Sequence, residues 1–378
     1  LQFLRDGGQG LEQAARKVVL RLATATVHRQ GVGPGAQHPL HMQRPGAQGL
    51  ESVADVGDVH GDGIVAHAPA RRVRATMPLR TRWRSGREST MFEMLIQARE
   101  ADLGHGLKVR RVLPYAKRRM VGPFIFWDHA GPVSLPAEQT RAADVRPHPH
   151  IGLATVSYLL SGSMTHRDSL GTHQVIRPGD VNWMTAGRGI SHSERFTHPD
   201  SFAGGGLELM QSWVALPAGQ EEVEPSFAHT PQADLPEWDE AGTWMRLVAG
   251  EAFGRRSPVV THSPLFYLHA ECSPGARLRL PGQHTEQAVY VARGRLSFAG
   301  QAVLPGQLLV FGNDTEVDLT APEAATVFLF GGEPLGPRHI FWNFVSSRPE
   351  RIEQAKADWK AGRFALPPDD RQEWIPLP

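Results

Sequence analysis

Residues 146–195 read RPHPHIGLATVSYLLSGSMTHRDSLGTHQVIRPGDVNWMTAGRGISHSER. The stretch opens on His148-Pro149-His150 and closes on His192-Ser193-Glu194. In an extended strand, residues two apart point to the same face. His148 and His150 can therefore aim two imidazoles at one point, and His192 and Glu194 can do the same. Between the pairs lie two turn signals, Ser161-Gly162 and Pro178-Gly179-Asp180, which let the chain double back and bring the pairs together. Either pair alone reads more simply as decoration on a strand. The two together, each at strand spacing and with a glycine turn behind it, reverse that balance. Three imidazoles and a carboxylate around one point suit a divalent transition metal, with Fe(2+) the leading candidate and Mn, Ni, Co, Zn and Cu the others.

The same residues carry a family resemblance. HPHIGLATV, HRDSLG and NWMTAGRGISHSER occur here in this order, and the run resembles the metal-binding half of the pirin family, two-domain members of the cupin superfamily. It is most similar to the bacterial pirin-like branch. The resemblance implies that His148, His150, His192 and Glu194 are the four metal ligands. It extends from Met91 to Pro378 and includes the tail from Arg338, RHIFWNFVSSRPERIEQAKADWKAGRF. The implied fold is all-β: two tandem cupin (jelly-roll-like) barrels with a C-terminal helix.

Length and composition agree with two domains of ordinary soluble type. The 39 glycines and 30 prolines favour many short strands joined by turns. A single cysteine, Cys272, excludes an intrachain disulfide and a thiolate cluster, which fits a reducing cytoplasm. No apolar run is long enough to span a bilayer and no signal peptide is apparent. The expected location is therefore cytoplasmic. The net charge of +1 hides an asymmetry: residues 1–90 carry 13 Lys+Arg against 7 Asp+Glu, and residues 91–378 carry 27 against 32. A mildly acidic body argues against a broad nucleic-acid-binding face.

Residues 1–90 differ from the rest. They hold two of the 29 aromatic residues, Phe3 and Trp83, and seven arginines fall between Arg71 and Arg87. A basic arm for an acidic partner is one reading. The chain begins with Leu1, however, and the resemblance starts only at Met91. An over-extended gene start explains the Arg/Ala/Gly bias better. The segment is expected to be disordered apart from a marginal helix at Leu11 to Thr26.

The expected domains are an N-terminal metal-binding cupin over 91–230, a Pro/Asp/Glu-rich linker over 231–242, and a metal-free cupin over 243–378. Phe92 to Ala98, Leu107 to Leu113, Leu153 to Leu160 and Val181 to Met184 read as strands, and Asp128 to Pro132 reads as a turn. His129 is taken as a turn histidine bonded to backbone and left out of the site. His166 and His173 are taken as surface or supporting residues. The Gly187-x-Gly189 loop lacks the spacing, helix and acidic residue of a dinucleotide loop. Its glycines are assigned to close backbone approach behind His192. In the second half, His284-Thr285-Glu286 and Pro305-Gly306-Gln307 echo the first motif. The copy then runs through Val310 to Asp314 with no histidine, leaving too few strong ligands for a transition metal. A helix over 348–361 is expected, capped by Ser347, with Pro349 early, Ile352, Ala355 and Trp359 on one face, and Gly362 as its stop.

Some members of the family resemble quercetin 2,3-dioxygenases, and this implies a small aromatic polyphenol substrate and dioxygen. In that chemistry a carboxylate near the metal takes the flavonol 3-hydroxyl proton, and Glu194 is the candidate catalytic base. Trp183, Met184, Phe124 and Trp127 could form a slot for a flat ring, although core packing is the commoner role for each. Other pirins resemble metal- and redox-sensing proteins that modulate a protein partner without turnover, and the same four ligands serve that reading. A monomer is expected, with no membrane and no direct nucleic-acid binding.

Overall fold

The computed structural model describes residues 92–102, 107–203, 205–312 and 317–378. The expected N-terminal extension and its helix lie outside the described residues, as do Asn313 and Asp314. The architecture is all-β with one α-helix among the described residues. Two barrels are each built from a long and a short antiparallel sheet. In the first, the long sheet runs Ser226–Thr230, Val181–Thr185, Leu153–Ser161, Leu207–Ala215, Phe124–Val133, Lys108–Leu113 and Arg99–Asp102. The short sheet facing it runs Val145–His150, Ile190–Arg195, Met164–Asp168 and His173–Ile176.

The central strands of the long sheet are buried along their length, because both of their faces are covered. One face lines the first barrel. The other packs on the long sheet of the second barrel, where Trp127, Val156, Tyr158 and Met210 meet Tyr267, Tyr290, Phe328 and Phe330. Trp127 stacks on Phe330 with ring centroids 4.0 Å apart. The second barrel's interior is itself filled, by Phe266, Leu268, Val289, Leu309, Phe311 and others.

The barrels exchange edges. Met94–Gln97 pairs with Gln307–Gly312 in the second barrel's long sheet, although it precedes every strand of the first barrel. The stretch expected as a linker contains Glu237–Glu240, a strand that pairs with Thr243–Ala252. The C-terminal segment returns to the first barrel: Phe344, Ile352, Ala355 and Trp359 pack around Ile151. The helix spans Pro349–Lys360 with Pro349 in its first turn. Ser347 is not its cap. Arg348 holds that position without a side-chain cap, while the Ser347 amide and hydroxyl both donate to the Glu221 carboxylate.

A second correction concerns Asp128 to Pro132. The strand Phe124–Val133 runs straight through it. His129 is fully buried there, its Nε2 2.9 Å from Glu208 Oε1 and its Nδ1 3.0 Å from the Tyr290 hydroxyl. Its partners are side chains of both barrels, not backbone.

Candidate metal centre

His148 and His150 stand two apart on the first strand of the short sheet, and His192 lies on the neighbouring strand directly opposite His148. The register then slips, so that Glu194 pairs with Val145. A bulge of this kind re-aims side chains, and here it follows His192 immediately. The loop before the strand is tight where the glycines sit. Gly187 has φ +50°, and a Cβ there would come within 2.0 Å of the Val223 carbonyl oxygen. Only glycine fits that approach.

The ligand-type atoms of His148, His150 and His192 all lie within 4.8 Å of one another, and all three rings are buried. Hydrogen bonds set their tautomers. His148 Nδ1 donates to the Arg146 carbonyl at 2.9 Å, and His150 Nδ1 to the Asn343 carbonyl at 3.1 Å. A ring that donates from Nδ1 keeps its lone pair on Nε2, the form that binds a cation. Burial lowers the pKa of His148 to about 4, despite the upward pull of the Arg146 carbonyl. Burial and the neighbouring imidazoles push His150 and His192 well below the usual value. The cluster is therefore neutral at physiological pH.

Glu194 lines the same cavity but does not join the tight group of three; its Oε1 is 3.5 Å from His192 Nδ1. Burial raises its carboxyl pKa to about 8, against the opposing pull of Arg195. Among the described residues, His150 Nε2, His192 Nε2 and Glu194 Oε2 are buried without any hydrogen-bond partner. Orphaned buried acceptors are costly, and a cation among them would satisfy all three. The donor set fits a divalent transition metal.

The cluster opens into a cavity of about 470 Å³ between the two sheets of the first barrel. Its aromatic lining is Phe126, Phe196, Trp213 and Trp342. Phe124, Trp127, Trp183 and Met184, suggested above as a slot, do not line it. The first three belong to the core between the barrels, and Met184 packs with Ile125, Leu153 and Ile190. Trp127 has the opposite strand parity to Phe126, so its ring faces the other barrel. His166 supports His192 from behind, whereas His173 is exposed and makes no contact with the cluster.

Sequence reasoning missed the polar groups of the cavity, Arg111, Asp128 and Gln211. Their signal was present as alternation: Val109/Arg111, Phe126/Asp128/Ala130 and Leu209/Gln211/Trp213 each place charged or amide groups on a face shared with apolar residues.

The pirin family model matches residues 106–214, and the model of the pirin C-terminal cupin domain matches residues 267–365. A pirin-like protein of Caulobacter vibrioides is 52% identical over 289 residues, covering 76% of this chain and 100% of the relative. Human pirin is 31% identical over 281 residues, covering 72% of this chain and 93% of the relative. The crystal structure of a quercetin 2,3-dioxygenase from Acinetobacter baumannii superposes with a TM-score of 0.70 at 34% identity, covering 77% of this chain and 97% of that one.

Proposed function

Because the chain belongs to the pirin family, we propose that it is a metal-dependent dioxygenase opening a flavonol such as quercetin, with iron(II) held by His148, His150, His192 and Glu194. The observation that carries the reading is the set of buried, unpartnered atoms, His150 Nε2, His192 Nε2 and Glu194 Oε2, facing an aromatic-walled cavity. Similarity to a quercetin 2,3-dioxygenase over most of the chain supports the same choice. Bound there, the metal would supply a Lewis-acidic, redox-active centre with open positions for a substrate oxygen and dioxygen.

The chain's own residues do the rest. Phe126, Trp213 and Trp342 provide flat apolar surface that holds an aromatic ring and excludes water. Glu194 Oε2 accepts the proton of the flavonol hydroxyl. Burial favours its protonated form, so it can retain a proton once taken, and a cation alongside would keep it ionised until substrate arrives. The carbonyls of Arg146 and Asn343 hold two imidazoles in place throughout.

Oxygen uptake by iron-loaded protein with quercetin tests the proposal. A rate that disappears in His148→Ala, with carbon monoxide released by the unaltered protein, is the expected result. Metal binding without oxygen uptake on any flavonol would overturn the catalytic reading and favour a protein that senses metal or redox state through a partner.

A further inference from the structure

The wall of the cavity opposite the histidines is layered. Three adjacent strands of the long sheet place residues in register, and each rung has a different character. Val109, Ala130 and Leu209 form an apolar rung. Arg111, Asp128 and Gln211 form the next rung, and it is entirely polar. Phe126 and Trp213 form the third, with rings stacked at 4.1 Å. All eight residues line the cavity.

The polar rung is built rather than incidental. Asp128 is buried and takes a two-pronged ion pair from Arg111, Nε to Oδ1 at 2.7 Å and Nη2 to Oδ2 at 2.6 Å. The guanidinium also lies over Phe126, 4.4 Å from the ring centre. This fixes the Arg111 plane from two directions and leaves Nη1 with no partner among the described residues. Beside it, Ser157 Oγ donates to Gln211 Oε1 at 2.8 Å, which leaves the Gln211 Nε2 donors free. Trp213 reaches from this wall to His150, ring centroids 5.2 Å apart, so the polar rung and the histidine cluster belong to one continuous site.

We propose that Arg111, Asp128 and Gln211 are specificity-determining residues that recognise neutral hydroxyl groups on an aromatic substrate. Charge decides between a hydroxyl and a carboxylate. Asp128 already neutralises Arg111, and a second carboxylate would face its repulsion in a poorly solvated pocket. A phenolic hydroxyl accepts from Arg111 Nη1 or Gln211 Nε2 and donates its own proton to an Asp128 oxygen. An analogue without hydroxyls leaves the half-buried Arg111 and Gln211 donors beside the buried Asp128 unmatched, the situation in which sites discriminate strongly. The proposal rests on the reading of this cavity as an aromatic-substrate site and names which part of the substrate is selected.

The test is ligand titration of the metal-loaded full chain, read by quenching of tryptophan fluorescence, since Trp213 and Trp342 line the cavity. The probes are quercetin against galangin, the same flavonol without hydroxyls on its pendant ring, and catechol against benzoate. Unaltered protein should prefer quercetin and catechol by about tenfold or more. Gln211→Leu, which leaves the ion pair alone, should reduce both preferences. The double variant Arg111→Met/Asp128→Asn, which removes both charges together so that neither is stranded, should abolish them. Unchanged preferences in folded variants would overturn the proposal, as would tighter binding of benzoate than catechol or no binding of any probe. Binding of catechol but of neither flavonol would instead refute the flavonol reading and leave hydroxyl recognition standing.

Discussion

His192 Nδ1 lies 3.4 Å from His166 Nδ1, and this contact completes a chain of fixed protons running back from the candidate metal centre. His166 Nε2 is 3.0 Å from Asp168 Oδ2, so the imidazole donates there and its Nδ1 carries the lone pair. That lone pair accepts the Nδ1 proton of His192, which leaves the lone pair of His192 on Nε2, the unpartnered atom facing the cavity. Asp168 is anchored in turn by the amides of Leu170 and Thr172, which donate to its Oδ1 at 2.9 and 3.1 Å. Its pKa stays low because, although burial raises it, His166 and Thr172 together lower it further.

His166→Leu should therefore lower metal affinity by about 10- to 100-fold, the usual cost of losing a partner behind a ligand. The fold should survive, since His166 also stacks on Phe227 and a leucine fills much of that space. Competition with a chelator measures the affinity. An unchanged affinity would mean that His192 is held by its strand alone.

One metal equivalent per chain is expected, lost in His150→Ala and retained in His284→Ala. Among the described residues His284 stands in no cluster of ligand-type groups: its Nε2 lies 3.1 Å from the Glu251 carbonyl and its ring stacks on Phe266. Metal analysis of the two variants settles the point, and two equivalents in the unaltered chain would refute it.

The histidine cluster was legible because its geometry is local. Strand period, a glycine turn and a second pair suffice to bring three imidazoles together. What fixes His150 was not legible, because its partner is the Asn343 carbonyl, 193 residues away in sequence. The cavity wall was misjudged for a related reason. Register shifts between Arg111 and Leu113 and between Trp213 and Val214 change which side chains face inward. One slipped residue moves every later side chain to the opposite face. Phe124 and Trp127 look like slot residues in an apolar run, and only the pairing reveals that they serve the other barrel.

Trp127→Ala should destabilise the protein by about 3–5 kcal/mol, because it deletes a fully buried ring at the centre of the contact between barrels. That corresponds to a fall in melting temperature on the order of ten degrees. Metal content at low temperature should be unaffected, since Trp127 faces away from the cavity. Thermal unfolding and metal analysis together distinguish this from a site residue, whose loss would strip metal from a stable fold.

The tail after the helix is tied to the His192 strand chiefly through Asp370, with Glu373 3.2 Å from Arg195 Nη2 and the Ala365 carbonyl accepting from Ser191 Oγ, and the Asp370 attachment should respond to acid. Asp370 accepts from Arg195 Nε at 2.7 Å and Nη2 at 2.6 Å, and from Ser193 Oγ at 2.7 Å. Both partners flank Glu194. Further along, the Ile375 amide donates to the Pro147 carbonyl at 2.9 Å, beside His148, and Ile375 lines the cavity. Burial alone would raise the Asp370 pKa, but its bonds to Arg195 and Ser193 outweigh this and hold it below the ordinary 3.8. A carboxyl with a lower pKa folded than unfolded binds fewer protons in the folded state. Its stabilisation is complete above the unfolded value and disappears as pH falls through the folded one. Hydrogen exchange at the Ile375 amide, corrected for its intrinsic rate, should show protection that is constant near neutrality and declines only below about pH 4. In Asp370→Asn the protection should already be reduced at neutral pH, by about tenfold or more, as expected for losing hydrogen bonds to a charged acceptor. Equal protection in the variant and the unaltered protein would show that the tail is held not by Asp370 but by its other ties, among them Trp359, whose Nε1 donates to the Ile375 carbonyl at 3.0 Å, and Glu373 beside Arg195.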